Sequence, residues 1–354
     1  MSRFLDKKLS SLESYLPGEQ PEGRRVVKLN TNENPFAPSP AVVDAITKEE
    51  VQKLSLYPDP VARELSESIA AYYGIRREQI LTGNGSDELL AFCFHGLCPN
   101  GAAFSDLTYG FYPVYCQMFG VKERIVKLRE DFRLAIEDYM DLKETIFIAN
   151  PNAPTGLNVE VEAIEKLLKR DPDRLVIIDE AYVDFGGTSC IPLIDRYDNL
   201  LVIQTFSKSR QLAGMRLAFA AGSEELITAL AKMKFSFNPY SVNRLALLAG
   251  KAAIEDEAYF LKTTRAVIET REWMKRELEG YGCEVLPSKA NFLFVRPPVP
   301  AQDVFMRCKE EDVFVRYFPG ERTGEWLRIS VGTREDAQRL LEVLDKIFEE
   351  GSHA

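Results

Sequence analysis

Three apolar runs constrain this chain more than anything else in it. They are "ETIFIAN" (144–150), "DRLVIIDE" (173–180) and "NLLVIQT" (199–205). Each has strand length, and none alternates polar with apolar. A strand that is apolar on both sides must be covered on both sides, as in a parallel sheet clothed by helices. The segment between the first two, "EVEAIEKLLKR" (160–170), has the spacing of an amphipathic helix. Strand, helix, strand in this order predicts an α/β fold with a wound, mostly parallel sheet.

The alternation extends upstream. "EQILTG", "AAFS" and "KERIVKL" are short strand candidates, and "SDELLAFCFHGLC" reads as a helix between the first two. "LAFAAG" (217–222) adds a strand, expected near a sheet edge. Residues 223–280 read as helical, interrupted at "FNPYS". From Cys283 the pattern changes: "CEVLP", "NFLFVRP", "VFVRYF" and "EWLRISVG" surround helices at 301–311 and 334–349, which predicts a smaller α+β domain. The N-terminal "LNTNENPFAPSP" is broken by Asn and Pro and reads as loop, followed by a helix with Pro in its first turn. The expected division is a large domain over 47–260, and a small domain made of 1–46 with 261–354.

Composition narrows the chemistry. Two histidines, His95 and His353, are too few for a histidine-based metal site or a Ser-His-Asp hydrolase, and no metal site is expected. His95 ends an apolar helix and reads as a packed or capping residue. The six cysteines form no CxxC pair and read as reduced thiols. With net charge −10 and no basic block, nucleic acid is not an expected partner. No apolar run is long enough for a membrane, and the polar N-terminus lacks a signal peptide's apolar stretch, so a cytoplasmic location is expected.

In a wound sheet, ligands bind beyond the C-terminal ends of the strands. Past "EQILT" lies a glycine-containing turn into a helix, Gly83 to Asp87, an arrangement that suits an anion. Past "ETIFIAN" lies "PNAPTG". Past "DRLVII" come Asp179, Glu180 and Tyr182, and past "NLLVIQTF" come Ser207 and Lys208. Lys208 alone would be a surface residue, and Arg216 alone an ordinary ion pair. Tyr109 could be core, and Arg328 could lie on a solvated strand face. Together, a lysine, an acid at a buried strand end and a phosphate-type turn on one rim match the needs of pyridoxal 5′-phosphate: an amine for its aldehyde, an acid for its ring nitrogen, and donors for its phosphate.

"YLPG", "LNTNENPFAPSP", "LYPDP", "GNGSDEL", "TYGFY", "NPNAPTG", "IIDEAYVDF", "TFSKSRQLAGMRLAF" and "LRISVGTRED" occur in an order and spacing that resemble the fold-type I pyridoxal-phosphate aminotransferases. The likeness runs from about Tyr15 to Phe348 and is strongest to members acting on histidinol phosphate. It implies the aspartate-aminotransferase-like architecture and a set of roles. Lys208 resembles the Schiff-base lysine that also carries the proton. Asp179 is similar to the partner of the ring nitrogen, Tyr182 to the donor on the ring oxygen, and Tyr109 to the stacking ring. Gly85, Ser86, Asp87, Thr205, Ser207 and Arg216 resemble the phosphate site. Tyr57 is similar to a tyrosine that reaches the neighbouring subunit's cofactor, which implies a homodimer with shared sites. Arg328 and Arg316 resemble grips on the substrate's anion, and Tyr15 a wall of its pocket.

Two positions depart from the family pattern. Ala153 stands where an asparagine often meets the ring oxygen, and Asn152 is expected to take that role. Leu107 replaces a proline before "TYG". The implied reaction moves an amino group from a small donor to a keto acid, with L-histidinol phosphate and 2-oxoglutarate as the expected pair. An aromatic aminotransferase, a threonine-phosphate decarboxylase and a non-catalytic cofactor-binding regulator remain open.

Overall fold

A computed structural model describes residues 3–9, 12–21 and 26–351 of the chain. His353 lies outside the described residues. The strands are β1 (Val27–Lys28), β2 (Ile80–Gly83), β3 (Ala102–Ser105), β4 (Glu123–Val126), β5 (Thr145–Ala149), β6 (Val176–Asp179), β7 (Leu200–Thr205), β8 (Ala218–Gly222), β9 (Glu284–Val285), β10 (Phe292–Arg296), β11 (Val313–Phe314), β12 (Arg316–Tyr317) and β13 (Leu327–Ser330).

Seven of them form one sheet in the order β2-β8-β7-β6-β5-β3-β4. From β4 to β7 all neighbours are parallel. The three apolar runs are its centre, and every residue of β5, β6 and β7 is buried. Alternate side chains go to opposite faces. Ile146, Ile148, Val176, Ile178 and Val202 pack under the helices Arg63–Tyr73, Val161–Arg170 and Arg244–Glu255. Phe147, Ile177, Leu201 and Ile203 pack under Gly85–Gly96, Phe111–Phe119 and Glu224–Phe237.

The "LAFAAG" strand lies near a sheet edge, as expected, one strand in from it. β8 runs antiparallel between β7 and β2, and β2 is the edge. Its small residues, Ala218, Ala220 and Ala221, are buried as a central strand's would be. The helical region is cut twice, at 238–243 and at Asp256, where Asp256 caps the helix Glu257–Gly280. His95 sits in the last turn of its helix with its ring 4.8 Å from that of Phe119.

The C-terminal strands form a second sheet, β12-β13-β10-β9, all antiparallel. One face buries Leu293, Val295, Leu327 and Ile329 against Glu257–Gly280 and the C-terminal helix Arg334–Gly351. The N-terminal segment joins this part of the chain, because β1 pairs in parallel with β11. Among the described residues, no helix is long and apolar enough to cross a membrane, and no group of three His, Cys, Asp or Glu residues could hold a metal ion.

Candidate active site

The C-terminal ends of β5, β6 and β7 are in register: Ala149 lies beside Asp179, and Asp179 beside Ile203. The chain leaves all three strands at one rim. A cleft there encloses about 560 Å³, counting its part open to solvent, and Asp179, Tyr182, Lys208, Tyr109, Ser86 and Arg216 line it. Asp87, Thr205 and Ser207 also reach it. Side chains distant in sequence are thus gathered because neighbouring strands end together.

Asp179 is 5% exposed and has two uncharged partners. The Tyr112 hydroxyl donates to it at 3.0 Å and the Ala181 N–H at 3.3 Å. Burial, and secondarily the Asp87 charge, push its carboxyl up to about 6 against these hydrogen bonds. A buried carboxylate without a cation lacks its best partner. A protonated ring nitrogen would supply it. Glu180, one residue on, points to the other side of the sheet, to Ser189, Gln204 and the Cys190 N–H, and is pushed up to about 7 by burial.

Lys208 follows β7 by three residues. Its Nζ donates to the Thr31 carbonyl at 3.3 Å and lies 5.7 Å from the centre of the Tyr182 ring. The Lys208 carbonyl accepts from Asn34 Nδ2 at 2.9 Å. The amine therefore has a neutral partner, in reach of whatever occupies the cleft.

The opposite end of the cleft is built for an anion. Gly85 opens the helix Gly85–Gly96 with φ 75°, and the first-turn N–H groups have no intrahelical acceptors. Arg216 meets Asp87 at 2.8 Å and remains half exposed. A Cβ on residue 85 would stand 2.6 Å from Arg216 Nη2. Glycine is needed there for its backbone and for the room it leaves. Thr205 Oγ1 donates to Ser207 Oγ at 3.0 Å beside this seat. The Tyr109 hydroxyl donates to Asp87 at 2.7 Å, and burial next to that carboxylate holds the phenol well above its ordinary range.

A second cleft adjoins the first and shares Tyr109, Ala153, Tyr182 and Lys208 with it. Arg328 and Arg316 project into it from directly opposed positions of β13 and β12. Arg328 Nη2 donates to the Asn30 carbonyl at 3.0 Å, while its Nε is buried without a partner. Arg316 donates to the carbonyls of Leu16 and Pro17. Like charges directly opposed on a sheet repel, and among the described residues they meet backbone carbonyls and the rings of Phe292 and Phe318 but no carboxylate within ion-pair distance. The pair is complementary to an anion. Tyr15 lines the same cleft and stacks on Phe111 with 4.4 Å between ring centres.

Two expected residues are not gathered here. Asn152 Nδ2 donates to the Leu107 carbonyl and to Thr155 Oγ1, both at 3.0 Å, and the residue lines a neighbouring groove. The expectation that it replaces the missing asparagine is corrected: its amide ties the loop together, and Ala153 faces the cleft. Tyr57 is 79% exposed and stacks on Tyr240, away from both clefts.

Residues 30–34, read from sequence as a loop, carry contacts that reading missed. Asn30 receives Arg328, Asn32 donates to the Tyr182 hydroxyl at 3.0 Å, and Asn34 holds Lys208. The spacing Asn-x-Asn-x-Asn was the available signal.

Comparison with known proteins agrees with this geometry. The sequence pattern of the family "Aminotransferase class I and II" matches residues 24–344. The chain belongs to this family. Over 98% of its length it is 47% identical to the whole of histidinol-phosphate aminotransferase 1 of Pseudomonas fluorescens. It is 44% identical to histidinol-phosphate aminotransferase of Clostridium botulinum, covering 98% of this chain and 99% of that one. Its fold is that of histidinol-phosphate aminotransferase from Sinorhizobium meliloti, solved in complex with pyridoxal-5′-phosphate, with TM-score 0.87 over 99% of this chain and 100% of that one at 23% identity. It also matches an aspartate aminotransferase variant from Thermus thermophilus, with TM-score 0.81 over 98% and 100% of the two chains at 19% identity. This aminotransferase therefore has the aspartate-aminotransferase-like fold.

Proposed function

We propose that this aminotransferase uses pyridoxal 5′-phosphate to transfer the amino group of L-histidinol phosphate to 2-oxoglutarate. The observation that carries the reading is the convergence of Lys208, cation-free Asp179 and the anion seat at Gly85–Asp87 and Arg216 on one cleft. The residues fit the cofactor. Lys208 would hold its aldehyde carbon, Asp179 its ring nitrogen, Tyr182 its ring oxygen and Tyr109 its ring face. The N–H groups of Ser86 and Asp87, with the side chains of Ser86, Thr205, Ser207 and Arg216, would hold its phosphate. When bound, the cofactor supplies an electron sink for the bonds at the substrate's Cα.

The chain's residues do the rest. Lys208 Nζ would take the proton from the donor's Cα and give it to the cofactor's former aldehyde carbon, and would make the opposite transfer with the keto acid. Asp179, as carboxylate, keeps the ring nitrogen protonated. Arg328 and Arg316 hold the substrate's far anion, the phosphate of one substrate or a carboxylate of the other, while Tyr15 and Tyr109 shield the cleft. The relatives named for histidinol phosphate, at 44–47% identity over nearly the full chain, support this donor.

We further propose that residues 47–260 act as the cofactor-binding unit, with 1–46 and 261–354 as the smaller one. The enzyme is a cytoplasmic homodimer whose Tyr57 reaches the partner's cofactor phosphate. The test is steady-state kinetics with 2-oxoglutarate and, in turn, L-histidinol phosphate, phenylalanine and threonine phosphate. The reading expects the highest kcat/KM for histidinol phosphate. Preference for phenylalanine, or carbon dioxide released from threonine phosphate, overturns the donor assignment. Transamination by a Lys208→Ala variant overturns the mechanism.

A further inference from the structure

We propose that Asn32 is a positioning residue that aims the hydroxyl proton of Tyr182 at the cofactor's ring oxygen. The inference rests on the placement of Tyr182 proposed above.

The argument is one of donors and acceptors. Asn32 is 1% exposed and sits in the left-handed region at φ 55°. Its backbone N–H donates to Ser330 Oγ at 2.9 Å. That leaves the single proton of Ser330 to donate elsewhere, and it goes to Asn32 Oδ1 at 2.8 Å. The Asn32 carbonyl in turn accepts from buried Asn291 Nδ2 at 3.0 Å. Residue 32 is thus held through its N–H, its carbonyl and its side-chain oxygen. A flip of the amide is disfavoured, because it would take from the Ser330 proton the acceptor it has in Asn32 Oδ1. Its Nδ2 faces Tyr182, and it donates to the hydroxyl at 3.0 Å.

A phenol oxygen that accepts from an amide keeps its own proton for another acceptor. The Tyr182 ring is fixed edge-on against Phe292, with 5.0 Å between centres. The carboxylates of the cleft, Asp87 and Asp179, are engaged by Tyr109, Arg216 and Tyr112, and the cations facing the Tyr182 ring are Lys208, with Nζ 5.7 Å from the ring centre, and Arg328 on β13. Neither accepts a proton when charged, so the remaining direction is the cleft. Donation into the oxygen also polarises the O–H and strengthens the bond it donates. Ser330 and Arg328 are two residues apart on β13, so one strand face carries both the anion grip and the support of Asn32.

The readout is the pH midpoint of the bound cofactor's visible band in the holoenzyme. A hydrogen bond from Tyr182 favours the anionic ring oxygen, so weakening it raises the midpoint. Tyr182→Phe is expected to raise it by about one pH unit or more. Asn32→Gly suits the left-handed backbone and removes the amide; it is expected to raise the midpoint by about half a unit, the scale of one ordinary hydrogen bond. In the Tyr182→Phe background, Asn32→Gly should add nothing. Asn32→Asp keeps the shape but offers an acceptor that draws the proton away. It is expected to raise the midpoint more than Asn32→Gly, and most of that rise should vanish in the Phe background. It serves as the probe if the glycine variant does not fold. An unmoved midpoint, or equal shifts with and without the Tyr182 hydroxyl, overturns the proposal. If Tyr182→Phe itself leaves the midpoint unchanged, the placement of Tyr182 fails first.

Discussion

Asp179 is a carboxylate buried beside a phenol and a backbone N–H, with no cation paired to it among the described residues. The cofactor-free protein should reveal this cost. Burial raises the group from 3.8 to about 6, so the folded chain holds the proton more tightly than the unfolded one. Stability from this group is therefore greatest below about pH 4 and falls as the pH rises to about 6. Asp179→Asn removes that slope. Above pH 6 it should stabilise the cofactor-free protein by about 1–3 kcal/mol, read as a higher Tm in thermal unfolding. In the presence of cofactor the order should reverse, because asparagine cannot hold the ring nitrogen protonated, and kcat should fall by a factor on the order of 100 or more. A cofactor-free variant no more stable than the parent at pH 8 would show that the acid is not under stress. Lys208→Ala is expected to be more severe for turnover, about a thousand-fold or more, since among the described residues it removes the only side-chain amine lining the cleft. Its fold should be unaffected, because Lys208 Nζ makes a single long hydrogen bond, to Thr31.

Elements explain which parts of the site could be read in advance. The central strands were legible because burial on both faces leaves an apolar run with no other reading, and the rim residues were legible because each follows such a run directly. β8 was placed near an edge, but its alanines carry little periodic signal and did not show that it runs antiparallel between β7 and β2. Asn32 and Asn34 were overlooked for a different reason: their spacing was visible, but their partners, Tyr182 and Lys208, lie 150 and 174 residues away, and an asparagine-rich stretch looks like turn punctuation. Asn152 was misassigned because its neighbours in sequence did not show that its amide closes the loop on Leu107 and Thr155. The register of β12 on β13, which opposes Arg316 and Arg328, was equally invisible and yields a prediction of its own. Arg328→Gln should raise KM for both substrates at least about ten-fold, the worth of a charge-assisted hydrogen bond, with the cofactor band unchanged. The cofactor-free Tm should hold or rise, since a repelling pair is relieved. A large loss of kcat at unchanged KM would place Arg328 elsewhere than on the substrate's anion.

At the scale of the whole molecule, one chain leaves aromatic surface bare. Tyr57 is 79% exposed, Phe237 78% and Tyr240 41%, and Tyr57 stacks on Tyr240. Large rings grouped on a surface mark a contact site. The carbonyl of Ser241, next to Tyr240, accepts from Asn84 Nδ2 at 2.7 Å, which ties this surface to the turn before Gly85 without its lining either cleft. A two-fold dimer over it would bring Tyr57 of each subunit to the other's cleft. Mixing two inactive variants separates shared sites from independent ones. In a hybrid of Lys208→Ala with Tyr57→Ala, shared sites give one cleft with both defects and one with neither. Independent sites leave one defect in each cleft. Mixed and reassembled from denaturant at equal concentrations, the pair should therefore regain about a quarter of wild-type activity, since half the dimers are hybrids and each has one intact cleft. Tyr57→Ala alone must first be shown to weaken cofactor retention while sedimenting as a dimer. No gain on mixing, with hybrids confirmed by mass, would mean that each chain completes its own site.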